Sequence, residues 1–249
     1  MPATPAWPPR SAPRLYVTQA LGPDIRLPVD GPAAHYLISV MRVQEGDAVL
    51  LFNGQDGEWA ARATSIRKRD LVLECVQQTK ALEPVPDFWL CAAPIKKGRI
   101  DMVMEKACEL GVAQVHPVLT SRAVVDKLNL DRLRAHMVEA AEQCGRTAIP
   151  MLEDMVKLPQ LLKDWPAERH IFFADELGGQ PMHSAFAAHT GPAALLIGPE
   201  GGFTTQERDA IRAHPAAVPI ALGPRILRAE TAAIAATACW MAINGDWHA

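Results

Sequence analysis

The chain has 249 residues, 49% of them apolar and 21% charged, with a net charge of −3. That composition fits a globular chain of one or two domains with a sizeable core, and no apolar run reaches the roughly 18 residues of a membrane span. Residues 1–83 hold nine basic and nine acidic side chains, and the remainder holds 16 against 19, so the overall basic excess of a dedicated nucleic-acid binder is missing.

Residues 1–13 carry five prolines and no apolar h-region, which reads as a disordered leader rather than a signal peptide. From Arg14 to about Glu83 the pattern is short and β-like. Asp47–Phe52 reads as a strand, and Asn53-Gly54 and Asp56-Gly57 supply turn chemistry. Glu58–Ile66 and Leu71–Val76 read as two more strands around a basic turn at Arg67–Asp70. Short strands with glycine turns suggest a small barrel over residues 14–83. Pro84 and Pro86 then mark a domain boundary, with a second domain over 84–249.

Beyond Pro86 strands and helices alternate. Phe88–Ala93 is strand-like. Ile100, Val103, Met104, Ala107 and Leu110 form a helical stripe opposite Asp101, Glu105, Lys106 and Glu109, closed by Gly111. Val112–Leu119 reads as a strand and Leu133–Cys144 as a helix. Ile171–Ala174, Ala194–Ile197 and Val218–Leu222 read as further strands. Thr204 and Glu207 have capping-box spacing, and an alanine-rich helix runs from about Ala229 to Ile243. The expected fold is α/β with a mostly parallel sheet. The five cysteines (Cys75, Cys91, Cys108, Cys144 and Cys239) are odd in number and lack a C-x-x-C pair. They point away from a disulfide framework or a structural zinc site and toward a reducing, cytoplasmic setting.

Two glycine-bearing loops carry the chemistry: Leu196-Ile197-Gly198-Pro199-Glu200-Gly201-Gly202 and Leu222-Gly223-Pro224-Arg225-Ile226-Leu227-Arg228. Each follows an apolar strand and opens into a helix, the place where open α/β sheets bind ligands. The first lacks the Lys-Ser/Thr ending of a Walker A loop and the G-x-G-x-x-G spacing of a dinucleotide fold. A nucleoside without a polyphosphate remains, held by backbone and apolar contacts. S-adenosylmethionine fits, with Glu200 suited to its cationic sulfonium. Arg225, Arg228 and Glu230 cluster at the same edge, where an arginine could meet a phosphate or a developing oxyanion; the plainer reading is a surface salt bridge of either arginine with Glu200 or Glu230.

In their order, these motifs resemble the RsmE family of SPOUT-class methyltransferases, which methylate N3 of a uridine in 16S ribosomal RNA. Ile197–Gly202 and Leu222–Ala232 carry most of the resemblance. His35-Tyr36-Leu37, Val40-Met41-Arg42 and Gly46-Asp47 are similar to the family's N-terminal motif. Lys97–Gly111, Ser121-Arg122 and Glu142–Arg146 also match. The chain departs at Met41, where leucine is common, and in its leader. The resemblance implies a PUA-like RNA-binding barrel, a trefoil-knotted methyltransferase domain and a homodimer, with no membrane partner. It implies that Leu196, Ile197, Gly198, Glu200, Gly201, Gly202, Leu222, Gly223, Ile226, Leu227, Arg228, Thr231 and Ala232 hold S-adenosylmethionine.

For the reaction, Arg228 is expected to stabilise charge on the uracil or hold the adjacent phosphate, and Glu200 or Glu230 to accept a proton. No metal is needed, because the sulfonium is already the electrophile. RNA capture is expected from Arg14, Arg42, Arg67, Lys68, Arg69, Arg122 and Arg146. Arg67-Lys68-Arg69 also reads as a plain solvated turn. Tyr16 and Phe52 read as core residues before base-stacking ones, and His35 as a cap or an RNA contact. The competing functions are a non-catalytic RNA-binding or assembly factor and a SPOUT methyltransferase of another RNA.

Overall fold

The structure, a computed structural model, describes residues 7–248, so the first six residues of the leader lie outside it. The rest of the leader, expected to be disordered, is placed against the first sheet. The Arg62 guanidinium lies 5.0 Å from the Trp7 ring centroid, and the Pro13 carbonyl accepts a hydrogen bond from the Leu50 N–H at 2.8 Å. Contacts divide the chain into two units at Pro84/Val85 and group Ala141–Ala148 with the N-terminal one. The sequence reading leaves that segment in the second domain.

The N-terminal unit is a five-stranded sheet in the order β1 (Arg14–Tyr16), β3 (Ala48–Phe52), β4 (Glu58–Ile66), β5 (Leu71–Lys80), β2 (Arg26–Val29). Only β1–β3 is parallel. Three register shifts between β4 and β5 bend and twist the sheet around a core that includes Leu27, Leu37, Val49, Leu51, Leu71 and Leu73. The β3–β4 turn is an Asx turn in which the Asn53 Oδ1 accepts from the N–H groups of Gln55 and Asp56. Gly57 is required there, since φ is +75° and a Cβ would lie 2.3 Å from the Lys80 carbonyl oxygen.

Short helix α1 (Gly31–His35) continues into a π turn over Tyr36–Val40. Two residues past it lies Arg42, an exposed non-glycine residue held at φ +57°. Segment 141–148 is tied to this unit by Arg14 hydrogen bonds to its carbonyls and by an ion pair of Arg146 with Glu83. Glu58, 2% exposed, accepts from Arg14 Nε at 2.7 Å. Arg14 also donates to the carbonyls of Ala141, Glu142 and Arg146, while Arg146 Nε donates to Glu83 at 3.0 Å.

The second unit is built on parallel pairs throughout, in the order β11 (Gln180–Pro181), β13 (Ala217–Ala221), β10 (His170–Ala174), β12 (Ala193–Ile197), β6 (Phe88–Ala92), β7 (Gln114–Leu119), β8 (Met151–Leu152), with β9 (Val156–Lys157) on β7. The central strands are continuous apolar runs because both faces are covered. Cys91, Phe173 and Leu196 pack into one cluster with Phe203 and Ile211. On the other face Phe172 meets Phe186 edge to face, 4.7 Å between centroids, and Phe88 stacks on Trp240 at 4.2 Å.

Helices α2 (Arg99–Glu109), α5 (Met182–Ala188) and α7 (Ala229–Asn244) pack together, with α7 against β6 and β12. Helix α3 (Leu130–Cys144) starts earlier than its apolar pattern, because the Asn129 Oδ1 caps it by accepting from the Arg132 N–H at 2.9 Å. Helices α4 (Leu158–Lys163) and α6 (Thr205–Arg212) complete the unit. Among the described residues, no helix is long and apolar enough to cross a membrane.

One aromatic cluster makes the second unit acid-sensitive. Trp89 packs against His116 at 4.6 Å and lies 3.6 Å below the Arg169 guanidinium. Burial, reinforced by the Arg169 cation, pushes the His116 imidazole down to about 4. An unfolded histidine titrates at about 6.5, so on acidification the unfolded chain takes up this proton first. The stability contribution is therefore complete above about pH 6.5 and is lost progressively toward about pH 4. The urea midpoint of the wild type should fall more between pH 7 and pH 5 than that of His116→Gln; equal falls would show that another group carries the effect.

Candidate active site

The order β13-β10-β12 brings three parallel strand ends side by side, and each releases a loop at the same edge. After β12 the chain runs through Gly198–Thr204 into α6, whose start is fixed by a capping box. The Glu207 N–H donates to Thr204 Oγ1 at 3.2 Å, and the Thr204 N–H donates to Glu207 Oε2 at 2.9 Å. After β13 it runs through Leu222–Arg228 into α7. After β10 comes Asp175-Glu176-Leu177-Gly178. The three loops enclose a cavity of about 380 Å³, ample for a nucleoside-sized ligand.

Of the expected cofactor residues, Ile197, Gly198, Glu200, Gly202, Leu222, Gly223, Ile226, Leu227, Arg228 and Ala232 line this cavity. Three others do not. Leu196 is 1% exposed within the core; its side chain alternates to the sheet face below the loop. The Cβ position of Gly201 faces Arg122, 3.4 Å from its Cβ. Thr231 is exposed on α7, outside the lining.

Two glycines shape the first loop. A Cβ on Gly198 would lie 2.7 Å from the Phe203 ring, and one on Gly202, at φ +65°, would lie 2.9 Å from the Glu176 carboxylate. In the second loop Gly223 adopts φ +107° with open space beside it, which exposes backbone to the cavity.

The carboxylates here are already engaged. Asp175, its side chain fully buried, pairs with Arg212 at 2.6 Å and Arg208 at 3.2 Å. Glu176 accepts from Arg208 at 2.9 Å. Glu200 lies 3.3 Å from Arg99. Glu230 sits in the first turn of α7, where a carboxylate suits the helix dipole; it is 8% exposed, lies 3.6 Å from Arg99 and does not line the cavity. Arg225 and Arg228 line the cavity and are exposed, and their side chains make no hydrogen bond or ion pair among the described residues. The salt bridge of either arginine with Glu200 or Glu230 is thus absent there: Arg99 takes both carboxylates.

The arginines expected to capture RNA divide in two. Arg42, Arg67, Lys68 and Arg69 are exposed on the N-terminal unit. Arg14 and Arg146 are held internally as described above, and Arg122 donates to the carbonyl oxygens of Gly201 and Phe203 at 3.0 and 3.4 Å. Arg14 and Arg146 are thus engaged within their own unit, whereas Arg122 stays exposed while it braces the loop after β12. Tyr16 and Phe52 pack edge to face at 5.7 Å, with Phe52 fully buried, so Phe52 is a core residue.

Sequence reasoning missed Asp175, Glu176, Gly178, Phe203 and Arg208 in the cavity wall. The available signal was a pair of acids directly after the strand at 171–174, on the sheet edge already assigned to the ligand.

The chain thus carries a parallel α/β unit with a nucleoside-sized cavity at its loop edge and, separately, a small β unit. The RNA methyltransferase domain family matches residues 82–241, and its PUA domain family matches residues 29–74. Among curated relatives, the ribosomal RNA small subunit methyltransferase E of Rickettsia conorii is 29% identical over 90% of this chain and 93% of its own. The Synechocystis protein of that name is 31% identical over 82% of this chain and 69% of its own. The solved structure of ribosomal RNA small subunit methyltransferase E from Neisseria gonorrhoeae, bound to S-adenosyl methionine, covers 95% of this chain and 99% of its own, at TM-score 0.86 and 27% identity. This chain belongs to the ribosomal RNA small subunit methyltransferase E family.

Gly198→Ala should raise the dissociation constant for S-adenosylmethionine at least about tenfold, about 1.4 kcal/mol, because the Phe203 ring must shift into the loop. Isothermal titration checks this, and unchanged affinity would show that the loop relaxes without narrowing the cavity.

Proposed function

We propose that this chain transfers a methyl group from S-adenosylmethionine to N3 of a uridine in 16S ribosomal RNA of the small subunit. The observation that carries the reading is the cavity between the glycine loops, with two uncommitted arginines, Arg225 and Arg228, on its wall. The residues fit the cofactor: glycine backbone at Gly198, Gly202 and Gly223, apolar contact from Ile197, Leu222 and Leu227, and the Glu200 carboxylate at the rim. S-adenosylmethionine supplies an electrophilic methyl on a sulfonium, which departs as a neutral thioether.

The chain's own residues do the rest. The loops hold the two reactants in line, and orientation of this kind accounts for up to roughly 7–11 kcal/mol of a barrier. Of the two candidate carboxylates, Glu200 lines the cavity and accepts the N3 proton as the N3 electron pair forms the new N–C bond, while Glu230 stands behind it. Arg228 faces the negative charge that develops on the uracil oxygens, or the adjacent phosphate, and needs no internal partner to be broken first. Arg42, Arg67, Lys68 and Arg69 meet RNA phosphates from the N-terminal unit.

Three further expectations belong to the same reading. The chain pairs as a homodimer through α7, supported by a stripe of small, incompletely buried residues at Thr231, Ala235, Ala238 and Ala242. The segment from β12 to α7 forms a trefoil knot, supported by the order that sets β10 between β12 and β13. The enzyme works in the cytoplasm, where its ribosomal substrate is.

Small subunits lacking their native methylation, incubated with the protein and S-adenosylmethionine and then digested, should yield 3-methyluridine by mass spectrometry. Arg228→Ala should abolish that product while leaving cofactor affinity within a few-fold; near-normal turnover would remove Arg228 from the chemistry.

A further inference from the structure

The first turn of α2 is anchored from two sides. The Gly98 N–H donates to Asp101 Oδ2 at 3.1 Å, Arg132 pairs with Oδ1, and His136 lies 3.8 Å from Oδ2. Burial acts to raise the Asp101 pKa, but the hydrogen bonds from Arg132 and the Gly98 N–H outweigh it and hold the carboxyl below its usual range. Asp101 is therefore a fixed charged post, and Arg99, the first residue of α2, projects from a rigid base.

From that base Arg99 reaches two carboxylates that come from different elements. Its Nη1 is 3.3 Å from Glu200 Oε1, in the loop after β12, and its Nε is 3.6 Å from Glu230 Oε1, in α7. The second oxygen of Glu230 is buried and has no hydrogen-bond partner among the described residues. A buried carboxylate oxygen left without a partner is costly, so the Arg99 cation is the group that offsets the Glu230 charge. Arg225 and Arg228 stand on the same cavity wall as Glu200 without an ion pair among the described residues.

We infer that Arg99 is a positioning residue of the methyl-transfer site. Its guanidinium fork engages Glu200 and Glu230 together and keeps both from pairing with Arg225 and Arg228. Without Arg99 the two carboxylates would turn to the uncommitted arginines, and the groups meant for the substrate would neutralise each other. The fork is part of the role: a lysine keeps the charge but reaches two carboxylates less well. This inference rests on the reaction proposed above.

The test is steady-state kinetics of the full chain on small ribosomal subunits for wild type, R99Q and R99K, with thermal unfolding of each as a check on folding. R99Q should lower kcat by roughly 10- to 100-fold, the scale of a misplaced reacting group, with the KM for S-adenosylmethionine within a few-fold of wild type. R99K should recover a substantial part of that loss. A kcat for R99Q within about twofold of wild type, or a loss carried by the cofactor KM alone, would overturn the inference, as would an R99K no better than R99Q. R99M, which keeps the aliphatic stem, replaces R99Q with the same expectations if R99Q does not fold. Failure of the parent reaction shows separately, as a wild type that forms no 3-methyluridine, and removes both.

Discussion

The parallel pairing of β10 between β12 and β13 is the constraint on which the site depends. Parallel neighbours deliver their C-terminal ends to one edge, so three loops far apart in sequence are forced to share a boundary. The pairing itself is secured by apolar side chains on both faces, Phe173 and Leu196 on one and Phe172 and Leu195 on the other, all nearly inaccessible to solvent. The rigid part of the site is thus an ordinary hydrophobic core, and the cavity is the gap that its loops leave.

Charge in that gap is allocated before any ligand arrives. Arg208 and Arg212 hold Asp175 and Glu176, tying the loop after β10 to α6. Arg99 holds Glu200 and Glu230, tying the loop after β12 and the start of α7 to α2. Partly exposed pairs of this kind contribute little to stability. Their consequence is geometric: the acids are immobilised and the arginines of the last loop stay available to an anionic substrate. A chain with net charge −3 can in this way present local positive charge where RNA must come close.

Much of this was legible in the sequence, and the limits have physical causes. Apolar runs such as Ala194–Ile197 and Ile171–Ala174 revealed the central strands, because strands covered on both faces cannot hide their composition. The capping box at Thr204 and Glu207 marked the start of α6. Edge elements left no such trace: β1 has three residues, β8 and β11 have two, and β2 carries Pro28 at the sheet edge, where a missing N–H is tolerated. The two glycine loops gave most of the cavity, whereas Asp175 and Glu176 sit in a short polar turn whose Gly178-Gly179 pair reads as an ordinary turn signal. The fate of single arginines was illegible. Arg14 and Arg42 look alike in sequence, yet one is held by Glu58 and backbone carbonyls and the other is exposed at φ +57°.

The claim that most needs testing is that the three-loop cavity is where the cofactor sits. Hydrogen–deuterium exchange with and without S-adenosylmethionine addresses it on the native chain. Protection should rise in the segments 198–203 and 222–229, with a smaller rise at 175–178, and stay unchanged in the N-terminal sheet. Protection confined to other segments, with cofactor binding confirmed by calorimetry in the same samples, would contradict the account and place the cofactor elsewhere.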